Sequence, residues 1–410
     1  MVRPANISKV MLSLCLLLFL GTSSSPERSI TQTISAGAYH TVAIRPDGTL
    51  WAWGLNHFGQ LGNGSIVQRD VPTKVGADND WIAVATGAAH TAAIKSDGSL
   101  WTWGCNEYGE LGDGTRIGKL GPVCIHVEGK WNSVAAGCVH SLAIRVDGTL
   151  WAWGRNYDGQ LGDGTYLDRS NPVQVGTYAS WTAISAGGRH SAALMSDGSL
   201  WTWGNNDSGQ LGGGTALFRN TPFRISAQTD DSLVVAEVLS LAAYDKSTPF
   251  DLSPKTMAAI SWSAVAAGGA HTAAIMSDGT LWTWGLNKYG QLGDGTTMSR
   301  RIPIRVGSDD KWQSVAAGCL HTMGLKSDGT LWTWGNNDFG QLGNTLLMDR
   351  STPTQVGTDS QWTAIAAGCT HSIALKSDGT LWAWGRNLYG QIGAGDSNKV
   401  NFPAQISGWP

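Results

Sequence analysis

Seven histidines are the first residues of this chain whose type could do chemistry: His40, His90, His140, His190, His271, His321 and His371. Imidazole is a common metal ligand and general base, so a set of seven invites a metal or catalytic reading. Their spacing argues against it. The gaps are 50, 50, 50, 81, 50 and 50 residues. Each histidine stands at one place in a recurring pattern, Gly-x-x-His-(Ser/Thr)-x-x-(Ile/Leu)-x-x-Asp-Gly-(Thr/Ser)-Leu-Trp-(Ala/Thr)-Trp-Gly-x-Asn. Equivalent positions of a ring are spread around its circumference and do not converge on one ion unless they point into a narrow channel. No Asp or Glu accompanies them as a regular general-base partner. They read as structural imidazoles, buried and fixing a loop by hydrogen bonds.

Other reactive groups lead to the same place. Asp113-Gly-Thr, Asp163-Gly-Thr and Asp294-Gly-Thr lack the dense alternating carboxylates of a calcium loop and read as turn caps. There is no Cys-x-x-Cys pair, so a zinc site is not expected. Cys138, Cys319 and Cys369 share one repeat position with Ala38, Ala88, Gly188 and Gly269, which reads as a tight site wanting a small residue. Cys105 and Cys124 could pair across one unit. These residues supply no catalytic, cofactor-binding or metal-binding set, and an enzyme is not expected.

The elements that must position these residues follow from the period. A repeat of about fifty residues with several short strands per unit means a ring or stack. In the second unit, Trp81-Ile-Ala-Val-Ala-Thr, His90-Thr-Ala-Ala-Ile-Lys and Ser99-Leu-Trp-Thr-Trp read as strands. Asp97-Gly98 is a hairpin turn between the last two. A Gly-rich loop, Gly109 to Thr115, leads to a fourth strand near Pro122 to Val127. Antiparallel alternation puts the Gly-x-x-His and Gly-rich loops on one face. The Asp-Gly turns and unit-to-unit links then lie on the other. Along Leu100-Trp-Thr-Trp103 both faces are largely apolar, so neighbouring units must cover both. Position 102 and its equivalents hold only Ala or Thr, leaving room for a neighbour's indoles.

The 21 tryptophans argue for a closed ring. Fourteen lie in the Leu-Trp-x-Trp-Gly strands. Six more open units two to seven: Trp81, Trp131, Trp181, Trp262, Trp312 and Trp362. Thr31 stands where the first unit should have one, and the remaining Trp409 ends the chain's last strand signal. A ring brings Trp409 to the vacant place as a latch. The expected fold is all-β, a seven-bladed β-propeller of four-stranded antiparallel blades. It spans residues 26–410, with units starting near 31, 81, 131, 181, 262, 312 and 362, and an insertion at 227–257.

Composition bounds the function. Charged residues are 14% of the chain and the net charge is −3, which lacks the basic excess of a nucleic-acid binder. Arg3 and Lys9 precede the apolar run Val10–Leu20 and a small-residue zone to Ser25, the pattern of a signal peptide over residues 1–25. Its removal would leave −5, because Arg3 and Lys9 are its only charges. A secreted or cell-surface protein is therefore expected. No later segment could span a membrane, and the chain reads as a monomer.

These motifs resemble the regulator of chromosome condensation repeat family, and the chain is similar to a secreted, bacterial-type member with seven repeats. Gly54-Leu-Asn-His-Phe-Gly-Gln-Leu-Gly62 and Gly285-Leu-Asn-Lys-Tyr-Gly-Gln-Leu-Gly293 carry the resemblance, which covers nearly all of residues 31–409. It implies the propeller fold and says less about activity. The founding member is an exchange factor for a small GTPase. A plant ultraviolet photoreceptor of this fold has sensing tryptophans after the Gly of the Gly-x-x-His loop, and none of the seven loops here contains Trp. A secreted inhibitor of β-lactamase binds its target with that loop face. The expected function is a secreted, non-enzymatic, protein-binding scaffold with no cofactor and an unidentified protein partner. A glycan-binding lectin and an exchange-factor-like regulator of a small GTPase are the alternatives. Recognition should lie where the repeat is broken on the loop face: Tyr39, Arg155, Tyr157, Arg189, Leu320 and Arg386. The insertion offers a rival surface on the opposite face.

Overall fold

A computed structural model of the chain describes residues 34–225 and 261–409. The expected signal peptide, Thr31 and the 227–257 insertion lie outside them. The described residues form 28 strands in seven four-stranded antiparallel sheets, each in sequence order. Blade 1 comprises β1 (Ile34–Ala36), β2 (His40–Ile44), β3 (Leu50–Gly54) and β4 (Arg69–Lys74). Blade 2 comprises β5 (Trp81–Thr86), β6 (His90–Lys95), β7 (Leu100–Gly104) and β8 (Lys119–Cys124). Blades 3 to 7 repeat this plan, opening at Trp131, Trp181, Trp262, Trp312 and Trp362.

Within a blade the register follows the recurring pattern. His90 lies opposite Gly104, Thr91 opposite Trp103 and Ile94 opposite Leu100. The Asp-Gly turn between them is closed by its aspartate, whose Oδ1 accepts from the Ser99 amide at 2.8 Å and the Ser99 hydroxyl at 2.7 Å. The same hydroxyl accepts from Trp101 Nε1 at 2.9 Å. The two tryptophans of the third strand therefore have different roles. Trp101 is half-buried on its own turn, whereas Trp103 is fully buried.

Blades stack as the small third-strand residue requires. Leu50 and Ala52 of blade 1 share one core cluster with Trp81 and Trp103 of blade 2. Gly62 shows how close the contact is. Its φ is +73°, and a Cβ there would come within 2.6 Å of the Trp103 indole, so only glycine fits.

The ring closes without strand exchange, because β28 (Val400–Gln405) stays in blade 7. Trp409 is buried in one cluster with Ile34 and Trp53, its ring 6.2 Å from that of Trp53. Trp81 sits 6.1 Å from Trp103 in the same way. Trp409 thus occupies in blade 1 the place that the opening tryptophan fills elsewhere. Arg45 donates to the Gly408 carbonyl at 2.8 Å and lies over the Trp409 ring.

The cysteines depart in part from expectation. Cys138, Cys319 and Cys369 line the loop-face mouth of the central channel beside Ala38, Ala88 and Gly188, as a tight site demands. There Cys319 and Cys369 come to a Cα separation of 4.4 Å and form a disulfide between blades 6 and 7. Cys105 and Cys124 do not pair. One follows the loop-face end of β7 and the other ends β8 near the opposite face, so closeness in sequence did not bring them together.

Replacing the latch tests the closure. Trp409→Ala removes a buried indole at the ring's seam, and urea unfolding followed by intrinsic fluorescence should report a loss of about 3–5 kcal/mol. A loss below about 1 kcal/mol would mean the seam does not depend on it.

Candidate functional site

The seven histidines are fully buried, and each reaches into the next blade. Nε2 of His40, His90 and His140 meets the hydroxyl of Thr91, Ser141 and Ser191 at 3.1, 3.0 and 2.9 Å. His190, His271 and His321 meet Thr272, Thr322 and Ser372, each at 2.9 Å. His371 meets Thr41 at 3.1 Å and completes the circle. Each hydroxyl donates onward to a main-chain carbonyl, as Thr91 does to Gln60 at 2.8 Å. Having spent its proton there, it accepts from the imidazole, which fixes the Nε2–H tautomer. Burial holds all seven rings neutral: His40, His140, His190 and His321 fall to about 3. His90, His271 and His371 fall to about 4. The imidazoles are arranged in series around the ring, each spent on its neighbour. Among the described residues no three His, Cys, Asp or Glu side chains are grouped to hold a metal.

The Asp-Gly-Thr turns are also internally satisfied. Asp113 Oδ1 accepts from the Thr115 amide at 2.9 Å and its hydroxyl at 2.7 Å, while Oδ2 pairs with Lys119 at 3.2 Å. Asp163 and Asp294 pair with Arg169 and Arg300 in the same manner. A residue that sequence reasoning passed over organises this loop: the Asn of Trp-Gly-x-Asn. Asn56 is buried; its Oδ1 takes the Leu61 amide at 3.0 Å, and its Nδ2 reaches the Ser65 and Val67 carbonyls at 2.9 and 3.0 Å.

Two loop systems build the variable face. The residue after Trp-Gly hydrogen-bonds the carbonyl of the residue before His, as Arg155 N does to Val139 O at 2.9 Å and Arg386 N to Thr370 O at 2.9 Å. Both loops therefore share one face. The residue before the loop glycine of one blade, such as Tyr108, then meets these two positions of the next blade. Each junction between blades gathers three variable positions, one from the first blade and two from the second.

The expected site residues are distributed over these junctions. Between blades 7 and 1, Tyr39 packs edge-on to Tyr389 at 5.4 Å, and Arg386 lies 5.6 Å from the Tyr39 ring. Arg386 also lies over Phe339 at 4.8 Å, joining the junction of blades 6 and 7 to that cluster. Between blades 2 and 3, Arg155 lies over Tyr108 at 5.0 Å and Tyr157 at 5.8 Å. Between blades 3 and 4, exposed Arg189 approaches buried Asp158 at 3.9 Å, and Asn205 donates to Asp158 at 3.1 Å. Leu320, half-buried, stands apart at the junction of blades 5 and 6. Thus Tyr39 joins Arg386 and Arg155 joins Tyr157, but the six do not form one patch. Tyr108, Phe339, Tyr389 and Asp158 belong with them. Their signal in the sequence was the aromatic position before the loop glycine, broken only by Asp158 and Ser208. Its link to the next unit's loop needed the ring.

Comparison with known proteins fits this architecture. The sequence profile of the RCC1-like domain matches residues 78–409. The chain belongs to the RCC1-like domain family. Profiles of the regulator of chromosome condensation repeat match residues 47–94 and 31–60. Human WBSCR16 superposes with a TM-score of 0.73 at 22% identity, covering 88% of this chain and 94% of its own. Yeast RCC1 (Prp20) in its complex with Kap60 gives 0.73 at 20% identity, covering 97% and 91%. Prp20p from Saccharomyces cerevisiae, described with its binding to Gsp1p and histones, gives 0.71 at 22%, covering 92% and 86%. At such identities the likeness shows the fold. The Arabidopsis thaliana ultraviolet-B receptor UVR8 is 52% identical over 44 residues, 11% of this chain and 10% of the receptor.

These relatives correct one expectation. A secreted or cell-surface location does not stand beside solved relatives described with Kap60, Gsp1p and histones, which belong to the nuclear and cytoplasmic side of the cell. The expectation rested on an eleven-residue apolar run behind two basic residues, a local composition pattern that is read without reference to the fold. Among the described residues no helix is long and apolar enough to cross a membrane.

The histidine circle sets a pH dependence. Unfolded chains protonate these imidazoles below about pH 6.5, whereas the folded ring resists until about 3 to 4. Their contribution is complete above pH 6.5 and is lost as pH falls, by about 1.4 kcal/mol per histidine per pH unit. Urea titrations between pH 7.5 and 5 should show stability falling with acid. His140→Gln should make that slope shallower by about one histidine's share, and an unchanged slope contradicts the assignment.

Proposed function

We propose that this RCC1-like propeller is a non-catalytic protein-binding scaffold that engages its partner with the Gly-x-x-His loop face. One observation carries the reading. The blade-to-blade hydrogen bonds recur around the ring, while the junction positions of this face, most of them half-buried with part of the side chain open to solvent, differ from blade to blade. Tyr and Arg, which dominate interface hot spots, stand at several of them. The finer reading is a regulator of a small GTPase. It is supported by the match to Prp20p, described with Gsp1p, over 92% of this chain. The lectin alternative is less well supported, because the described strand tryptophans are buried or half-buried in the blades and not displayed on the face.

Two variants separate the loop face from the insertion. The flanks of the insertion emerge on the opposite face, where Trp262 N meets Gly198 O at 2.9 Å in the Asp-Gly turn of blade 4. In affinity capture with the purified chain, the Tyr39→Ala, Arg189→Ala, Arg386→Ala triple variant should lose the partner that the wild type retains. Deletion of 227–257 should not. The reverse pattern overturns the proposal. For the finer reading, the wild type should accelerate nucleotide release from a small GTPase, with Gsp1p in the panel, and no acceleration across the panel removes it.

A further inference from the structure

The junction of blades 2 and 3 holds a cavity with one uncompensated charge. The cavity is about 580 Å³ and is lined by Tyr108, Tyr157, Tyr166, Arg116, Arg155 and Arg169, with Leu167 and Asp168. Two of the three guanidinium groups are neutralised within the chain. Arg116 pairs with Asp168 at 3.2 Å and Arg169 with Asp163 at 2.8 Å. Arg155 has no acidic partner among the described residues; its guanidinium rests on the rings of Tyr108 and Tyr157. The buried carboxylate of Glu110 makes no ion pair with it and instead accepts from the Tyr108 amide at 2.9 Å. Tyr157 and Tyr166 are exposed, at 71% and 52%, so their phenols border the cavity in solvent.

We infer that this cavity is a receptor for a carboxylate side chain on an acidic segment of the protein partner. The inference rests on the loop-face reading above. A guanidinium held beside aromatic rings loses little freedom when a carboxylate docks against its N–H groups. Phenol hydroxyls at the border can donate to the same carboxylate. The positive charge is local: the whole chain is net negative at −3, so bulk attraction for acidic chains is not built in.

A second arginine in the same setting supports the partner class. Arg386 occupies in blade 7 the position that Arg155 holds in blade 3, again with no acidic partner among the described residues. It lies over Phe339, Tyr39 and Tyr389 at 4.8, 5.6 and 6.0 Å. The corresponding residues in the other blades are Leu55, Cys105, Asn205, Leu286 and Asn336, none of them charged. Blades 3 and 7 are three steps apart one way and four the other around the ring of seven, so the two arginines stand on roughly opposite sides of the channel mouth. Two carboxylates on one partner could engage both, and linked contacts reinforce one another.

The test uses the full chain and a fluorescein-labelled peptide of alternating glutamate and glycine, with anisotropy as the readout. The wild type should bind in low salt and weaken as salt rises, and an alternating lysine–glycine peptide should not bind. Arg155→Ala should weaken peptide binding about ten-fold, Arg155→Lys less, and Arg155→Ala with Arg386→Ala should abolish it. Urea unfolding should be unchanged in these variants, since neither side chain belongs to the scaffold. No binding by the wild type, or binding that the double variant retains, overturns the inference. So does preference for a single-stranded oligonucleotide over the peptide. If the peptide fails while the loop-face triple variant still loses its captured partner, only the acidic chemistry is wrong.

Discussion

The ring depends on one backbone carbonyl per blade, the one that precedes the last Leu-Gly of the Gly-rich loop. In blade 1 it belongs to Gln60, and it accepts both Trp103 Nε1 at 2.9 Å and the Thr91 hydroxyl at 2.8 Å from blade 2. The same pair of donors meets Glu110, Gln160, Gln210, Gln291, Gln341 and Gln391 in turn. Behind each hydroxyl stands a histidine from the preceding blade. A buried indole N–H, a buried hydroxyl and a buried imidazole are each costly alone. Supplied to one another across a blade boundary, they become a contact that accepts one rotation and one separation. The glycines around them complete the fit. Gly37, for instance, has its own His40 ring and the next blade's Gly87 carbonyl where a Cβ would be, at 2.6 and 2.5 Å.

A scaffold secured this way leaves its loop face free to vary. The scaffold bonds are buried between the blades and use none of the side chains of Tyr39, Arg155, Arg189, Leu320 and Arg386. The junctions accordingly differ in character. Arg155 and Arg386 rest on aromatic rings, Asp158 and Arg189 form a loose ion pair at 3.9 Å, and Leu320 offers an apolar side chain. Diversity on a rigid frame is what a recognition surface needs, since little order has to be imposed on binding.

Much of this was legible in the chain itself. The fifty-residue period, the Asp-Gly turns and the tryptophan bookkeeping determined blade number, strand order, which loops share a face and where Trp409 belongs. They could do so because turn chemistry and strand alternation are local, and because a repeated unit states its own equivalences. The even spacing of the histidines likewise showed that they could not gather at one ion. What each histidine does instead was hidden, since its hydroxyl partner lies in another blade, 51 residues away, 82 across the insertion or 330 across the seam of the ring.

Tertiary structure alone decided which residues meet. Cys319 pairs with Cys369 because equivalent positions of adjacent blades converge at the channel mouth. The nearer Cys105 and Cys124 stay apart because one strand carries them to opposite ends of a blade. Tyr108 meets Arg155, and Phe339 meets Arg386, because stacking sets the loop of one blade against the next blade's third strand. Sequence fixes a residue's place within its own unit through local geometry. Its neighbour in the adjoining unit is set by the angle and offset at which blades pack, and those come only from the closed ring.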